Sequence, residues 1–128
     1  MRAVDTNVLV RLVTGDDLQQ ASAAEKFVST GAWVSHLVLA ETIWVLATVY
    51  DRDPPTLALT VEFLLKHRDL TIQDAEVVVA ALAHFRNRPS LGLSDCLMLE
   101  IARKAGHVPM GTFDRTLAKL EAAERIAA

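Results

Sequence analysis

A chain of 128 residues makes one ordinary domain with its own hydrophobic core and leaves no room for a second. Apolar residues are 52% and charged residues 23%, with a mean hydropathy of +0.26, which excludes disordered, collagenous and simple coiled-coil chains. A formal net charge of −3 excludes a protein that grips nucleic acid by bulk positive charge, though not one with a local basic rim.

Met1 to Asp5 reads as a short buried strand ending in an acid, and Thr6 or Asn7 starts an apolar helical turn over Val8 to Thr14. Asp16 or Asp17 caps a helix through Ser29. Ala32 to Ser35 reads as a second strand, and Leu37 to Tyr50 as a helix stopped by Asp51-Arg52-Asp53-Pro54-Pro55. Thr56 caps a further helix to about His67, followed by a third strand over Leu70 to Ile72. Asp74 begins a helix that ends near Asn87-Arg88-Pro89. Ser94 is the expected cap of a helix from Asp95 to Lys104, with Gly106 as its terminator. Val108 to Thr112 reads as a fourth strand, and Asp114 as the cap of a last helix to about Ala123. Short apolar strands alternating with helices predict a single α/β domain over residues 1–128, with a short, mainly parallel sheet and helices on both faces. In such sheets ligands gather at the carboxyl ends of the strands.

Four acids fall at such places. Asp5 follows the first strand, Asp114 follows the fourth, and Asp95 sits in the first turn of a helix. Glu41 lies within an apolar helix, with Leu37, Val38, Trp44 and Val45 three and four residues away. Singly, Asp95 and Asp114 read as helix caps. Asp5 ends a strand where solvent is expected to be scarce. A carboxylate on an apolar face is costly unless paired or metal-bound, which makes Glu41 the least expected of the four. Together, the four are expected to converge at one end of the sheet. Clustered carboxylates repel unless a cation neutralises them, and hard oxygen ligands select Mg²⁺ or Mn²⁺. The chemistry implied is metal-assisted phosphodiester hydrolysis.

Val4-Asp5-Thr6-Asn7-Val8-Leu9, Ala40-Glu41, Leu93-Ser94-Asp95-Cys96-Leu97 and Gly111-Thr112-Phe113-Asp114-Arg115 resemble, in order, the four acidic motifs of PIN-domain ribonucleases. Among these the sequence is most similar to the small VapC-type toxins of bacterial toxin–antitoxin pairs. The resemblance implies a three-layer α/β/α fold and a Mg²⁺-dependent endoribonuclease. By the same resemblance Asp5 and Asp95 are the firmest metal ligands, and Asp114 binds directly or through water. Glu41 holds a second metal or positions the attacking water. Asn7 and Thr112 orient carboxylates, and Arg115, next to Asp114, has a claim on substrate phosphate. An RNA substrate, a homodimer and a cognate antitoxin over the active site complete the picture. One departure concerns the end of the chain. Such toxins add a further short strand after the last acid, whereas Leu120 to Ala128 is alanine-rich and reads as helical.

His36, His67, His84 and His107 show no metal-ligand spacing and are expected on the surface or in the core. Cys96 excludes a disulfide framework, suits a reducing compartment and reads as a small buried hydrophobe. Trp33 and Trp44 read as core or dimer-interface residues. No stretch approaches ~20 uncharged residues, so a cytoplasmic protein without a membrane span is expected. The competing readings are a metal-dependent phosphatase with Asp5 as nucleophile, a catalytically silent domain that binds RNA or protein, and a purely structural α/β module. Asn7 stands where the phosphatase chemistry wants a second acid.

Overall fold

Strands of two or three residues alternate with helices, and every strand pairing is parallel. The computed structural model describes residues 1–128 and divides into two compact units, Met1–Ala75 and Glu76–Ala128.

The first unit carries β1 (Arg2–Ala3), α1 (Thr6–Thr14), α2 (Leu18–Val28), β2 (Ala32–Val34), α3 (His36–Thr48), α4 (Pro54–Lys66) and β3 (Leu70–Ile72). Parallel neighbours need a crossover, and each pair of helices supplies one. The strands lie in the order β1–β2–β3, with Arg2 opposite Ala32 and Val34 opposite Ile72. Ala32, Val34, Leu70 and Ile72 are buried, whereas Trp33 and Thr71 on the alternate positions are exposed. Leu9, Leu39, Leu46, Val61 and Leu64 bring the apolar sides of α1, α3 and α4 into the core at full burial.

All four helices of this unit start on a side-chain cap. Asp5, Asp17, Ser35 and Asp53 accept the N–H groups of Val8, Gln20, Val38 and Thr56 respectively. Asp53 therefore replaces the expected Thr56, because Pro54 and Pro55 occupy the first helical turn, where a missing N–H costs nothing. Of the two candidates before α2, Asp17 is the cap.

The second unit carries α5 (Ala75–Asn87), α6 (Leu93–Ala105), β4 (Met110–Thr112) and β5 (Ala123–Arg125), with short 3-10 turns at Pro89–Leu91 and Leu117–Lys119. Helix α6 begins at Leu93, so Ser94 lies inside it and caps nothing. Gly106 ends it as expected, at a φ of 83° that favours glycine. Val77, Val78, Ala81, Leu82 and Phe85 of α5 and Cys96, Leu97 and Leu99 of α6 are buried. So is Glu100, whose carboxylate meets His84 Nε2 at 3.3 Å and Arg103 Nε at 3.1 Å.

The expected last helix is not formed. Asp114 starts only a 3-10 turn, Ala122 takes a φ of 71°, and the chain then runs as β5 beside β4, with Gly111 opposite Glu124. The Ile126 N–H donates to the Thr112 carbonyl at 2.8 Å, and the Met110 N–H to the Ala122 carbonyl at 2.8 Å. Alanine is the best helix former, but local propensity is easily overridden, and pairing β4's open edge satisfies backbone groups that a short helix would leave to solvent. The tryptophans are also not core residues: Trp44 is 61% and Trp33 37% exposed. No helix is long and apolar enough to cross a membrane.

Candidate active site

Asp5 stands where β1 gives way to α1, in extended backbone, and its Oδ1 accepts the Val8 N–H at 3.1 Å. The expectation of an acid at the dry end of a buried strand is corrected: β1 and Asp5 are exposed, and Val4 between them is the buried residue. One carboxylate oxygen thus holds the helix start, and the other makes no hydrogen bond. The free N–H groups and dipole of α1 favour the charge there.

Glu41 is exposed rather than pressed against the core. Its helical neighbours Leu37 and Trp44 are themselves 76% and 61% exposed, so the apolar face expected to bury it faces solvent. Arg2, in the same unit, does not meet it and lies over the Phe27 ring at 3.7 Å. The unit nevertheless brings Glu41 to Asp5: both line one cleft of about 360 Å³, with Asn7, Thr6, Leu37, Val38 and Val45.

In the second unit Asp95 occupies the first turn of α6 and is half-buried. Burial, and after it the charge of Asp114, raise its pKa above the ordinary carboxylate value. Asp114 is held by its neighbours. Its Oδ1 accepts the Thr116 N–H at 2.7 Å and the Leu117 N–H at 2.9 Å, while its own N–H donates to Thr112 Oγ1 at 3.0 Å. Thr112 therefore fixes the backbone that carries the acid. Arg115 is exposed beside them. Burial above all pushes the neighbouring Cys96 thiol up to about 11, which makes it an inert core residue.

None of the four acids forms an ion pair with a lysine, arginine or histidine. Each keeps at least one carboxylate oxygen outside the protein's own hydrogen bonds. Neither unit by itself gathers three acidic, histidine or cysteine side chains into a metal-holding group. What each unit presents is a carboxylate pair with uncompensated charge and only oxygen donors, a set that fits a hard divalent cation and not zinc or copper. The histidines are elsewhere: His36 and His84 are buried or paired, and His107 is exposed.

A second cleft, of about 390 Å³, shares Asp5 and Asn7 and continues along Val8, Arg11, Gln20, Ala23, Ala24 and Phe27. Sequence reasoning passed over Arg11, Gln20 and Phe27. Arg11 donates from Nε to Gln20 Oε1 at 2.7 Å and from Nη1 to Asp16 Oδ1 at 2.8 Å. Asp16 also accepts from Thr14 Oγ1 at 2.8 Å and from the Tyr50 hydroxyl at 2.6 Å. The Tyr50 bond foremost, then those of Thr14 and Arg11, lowers the Asp16 pKa to about 2. Arg11, Asp16 and Gln20 lie close enough in sequence to suggest a clamp across the α1–α2 turn. Nothing in the spacing of Tyr50 announces its part.

The sequence matches the PIN domain family over residues 2–123, nearly the whole chain. No curated protein sequence matches it.

Proposed function

Because the chain belongs to the PIN-domain family, whose members are typically metal-dependent nucleases, we propose that residues 1–128 act as one Mg²⁺-dependent endoribonuclease domain. We further assign it as the toxin of a bacterial toxin–antitoxin pair, acting in the cytoplasm. The observation that carries the catalytic reading is the state of the four acids. Asp5, Glu41, Asp95 and Asp114 all lack a basic partner, and Asp95 is burdened by burial and by Asp114. Burial and the neighbouring Asp114 charge make ionised Asp95 costly unless a cation answers it, and exposed Asp5, Glu41 and Asp114 keep carboxylate oxygens open to an ion from solvent.

In this reading Asp5 and Asp95 are the principal ligands of Mg²⁺, or of Mn²⁺ in its place. Asp114 binds directly or through water, and Glu41 binds a second ion or orients the attacking water. When bound, the ion supplies positive charge to the phosphate and lowers the pKa of a coordinated water. The protein's part is positioning. The Val8 N–H holds one oxygen of Asp5 and leaves the other free, and the Thr116 and Leu117 N–H groups do the same for Asp114. Thr112 steadies Asp114 through its backbone, and Asn7 stands beside Asp5 with its carboxamide unengaged. Exposed Arg115 is placed by sequence next to Asp114 to meet substrate phosphate. A homodimer and a cognate antitoxin belong to the same reading, and exposed Leu37, Trp44, Leu59 and Phe63 leave apolar surface for protein partners.

The purified protein is expected to cleave single-stranded or loop RNA with Mg²⁺ or Mn²⁺, and EDTA to stop it. Asp5→Asn and Asp95→Asn keep shape and remove the charge that holds the cation, so each is expected to abolish cleavage and growth arrest on induced expression. Equal toxicity of wild type and Asp95→Asn, or equal harmlessness in a host without the antitoxin, refutes the assignment in favour of a silent binding domain.

A further inference from the structure

The cleft between α1 and α2 starts at Asp5 and Asn7, and beyond them its composition is unlike that of a metal or phosphate site. Its polar groups are Asp5, Asn7, Arg11 and Gln20, and the rest is Val8, Ala23, Ala24 and the Phe27 ring. Arg11 is its one cation, and Asp16 already neutralises that guanidinium. With Arg11 neutralised by Asp16 and the Asp5 carboxylate adding negative charge, the cleft has no net positive charge, which suits a neutral ligand group better than a phosphate or a carboxylate. Gln20 spends its oxygen on Arg11, so its NH₂ group is what it offers a ligand. The Asn7 carboxamide is exposed and unengaged. Phe27 supplies an aromatic side chain steadied by Arg2, which stacks on the ring and donates to the Phe27 carbonyl at 3.4 Å. At about 390 Å³ the cleft falls within the roughly 300–1,000 Å³ of small-molecule sites.

Its position gives the inference direction. The cleft shares Asp5 and Asn7 with the cleft that Glu41 lines, so a chain with a phosphate near Asp5 can lay an adjoining base along Phe27. Bases of single-stranded RNA are recognised by stacking on aromatic rings and by hydrogen bonds to their edges. We propose that this cleft is a nucleobase subsite of the RNA substrate, in which Phe27 stacks on the base and Gln20 selects keto bases (guanine or uracil) over amino bases (adenine or cytosine). The selection follows from Gln20, whose oxygen is spent on Arg11 and whose NH₂ group is what remains for a base. The O6 of guanine and the O4 of uracil accept from the Gln20 NH₂, whereas the amino groups of adenine and cytosine at those positions present a donor to a donor. The proposal rests on the ribonuclease reading for the identity of its ligand, though base binding is measurable without cleavage.

The test titrates ¹⁵N-labelled full-length protein, without metal, with each of the four nucleoside 5′-monophosphates, following the side-chain amide resonances of Asn7 and Gln20. The guanine and uracil nucleotides are expected to shift these resonances saturably, and those of adenine and cytosine to bind at least about fivefold more weakly. Gln20→Met keeps the bulk of an exposed residue, removes its donors and is expected to erase that difference. Phe27→Leu is expected to weaken all four by about tenfold. The same preference is read on RNA hexamers differing only in the base beside the cut. Amide resonances that no nucleotide moves, or a preference unchanged in Gln20→Met, overturn the subsite. If RNA is cleaved with the same preference by wild type and Gln20→Met, the subsite fails and the ribonuclease reading stands. If the nucleotides bind selectively while no RNA is cleaved, the subsite stands and the ribonuclease reading fails.

Discussion

Replacing Asp95 by Asn separates the cost of an uncompensated carboxylate from the gain when a cation answers it. In the metal-free protein, burial and then Asp114 raise the Asp95 pKa above its value in the unfolded chain. Between the two values the folded state holds more protons, so stability falls as pH rises through that window, and the deficit is complete above it. Asn cannot carry the charge. In EDTA at pH 7 the variant is therefore expected to melt above wild type, and the advantage to vanish below the unfolded carboxylate value of 3.8. With metal the order reverses. A ligand at one hundred times its dissociation constant stabilises by about 2.7 kcal/mol. A chain of 128 residues, at ~2.1 cal/mol/K of unfolding entropy per residue, converts that into a melting shift of about 10 °C. Wild type should show a shift of this order on saturation with Mg²⁺ or Mn²⁺, and Asp95→Asn little of it. Asp114→Asn removes only the lesser of the two causes and keeps a side chain able to cap the turn, so its gain in EDTA should be smaller. Differential scanning fluorimetry across pH, with and without metal, reads every part of this. A variant that melts below wild type in EDTA, or a metal shift that survives the substitution, refutes the reasoning.

Two further outcomes test the packing around the clefts. The Asp16 pKa is lowered from its ordinary 3.8 to about 2, so its contribution to stability is present above 3.8 and lost as pH falls through about 2. Urea midpoints of Asp16→Asn should lie below those of wild type at pH 7 and converge with them between pH 4 and 2; a difference independent of pH contradicts the clamp. Buried Glu100 is held by His84 and Arg103, whose side chains are 24% and 39% exposed. Glu100→Ala should therefore cost about 2–3 kcal/mol in urea unfolding, toward the low end for breaking a buried pair, and Glu100→Leu clearly less because it refills the volume. A loss for Glu100→Leu as large as that for Glu100→Ala would contradict this, because refilling the volume would then recover nothing and the lost pair would carry the whole effect.

The fold was legible wherever local chemistry decides it. Periodicity located all four predicted strands to within two residues at each end, and Gly106 stops α6 because a left-handed position wants glycine. The first strand shrank to Arg2–Ala3, since Asp5 is drawn into capping α1. The misplaced helix starts have a common cause. Thr56 and Ser94 can cap, but Asp53 stands before two prolines that must sit in the first turn, and α6 begins at Leu93 with no side-chain cap at all. The C-terminal segment failed for a different reason. Helix propensity is a sum over neighbours, whereas β5 is decided by β4, whose free edge offers Ala122 to Ile126 the backbone partners that no local pattern reveals.

Sequence singles out two acids of the first unit that share a cleft, but misjudges their burial. Asp5 and Glu41 were singled out because burial should make their charges costly, yet both are exposed, and what joins them is the cleft they share. A carboxylate at a helix start was weighed as either a cap or a ligand. Asp5, which caps α1, and Asp114, which holds the turn through Thr116 and Leu117, make that opposition false, because each uses one oxygen and leaves the second, already fixed in direction, for another task. The helix supplies the orientation that a ligand would otherwise lose entropy to acquire. An acid that caps a helix and faces a cleft is thus better suited to hold a cation than a freely rotating one. Asp95, which has no capping bond and a raised pKa, should be the acid whose position and charge the cation changes most.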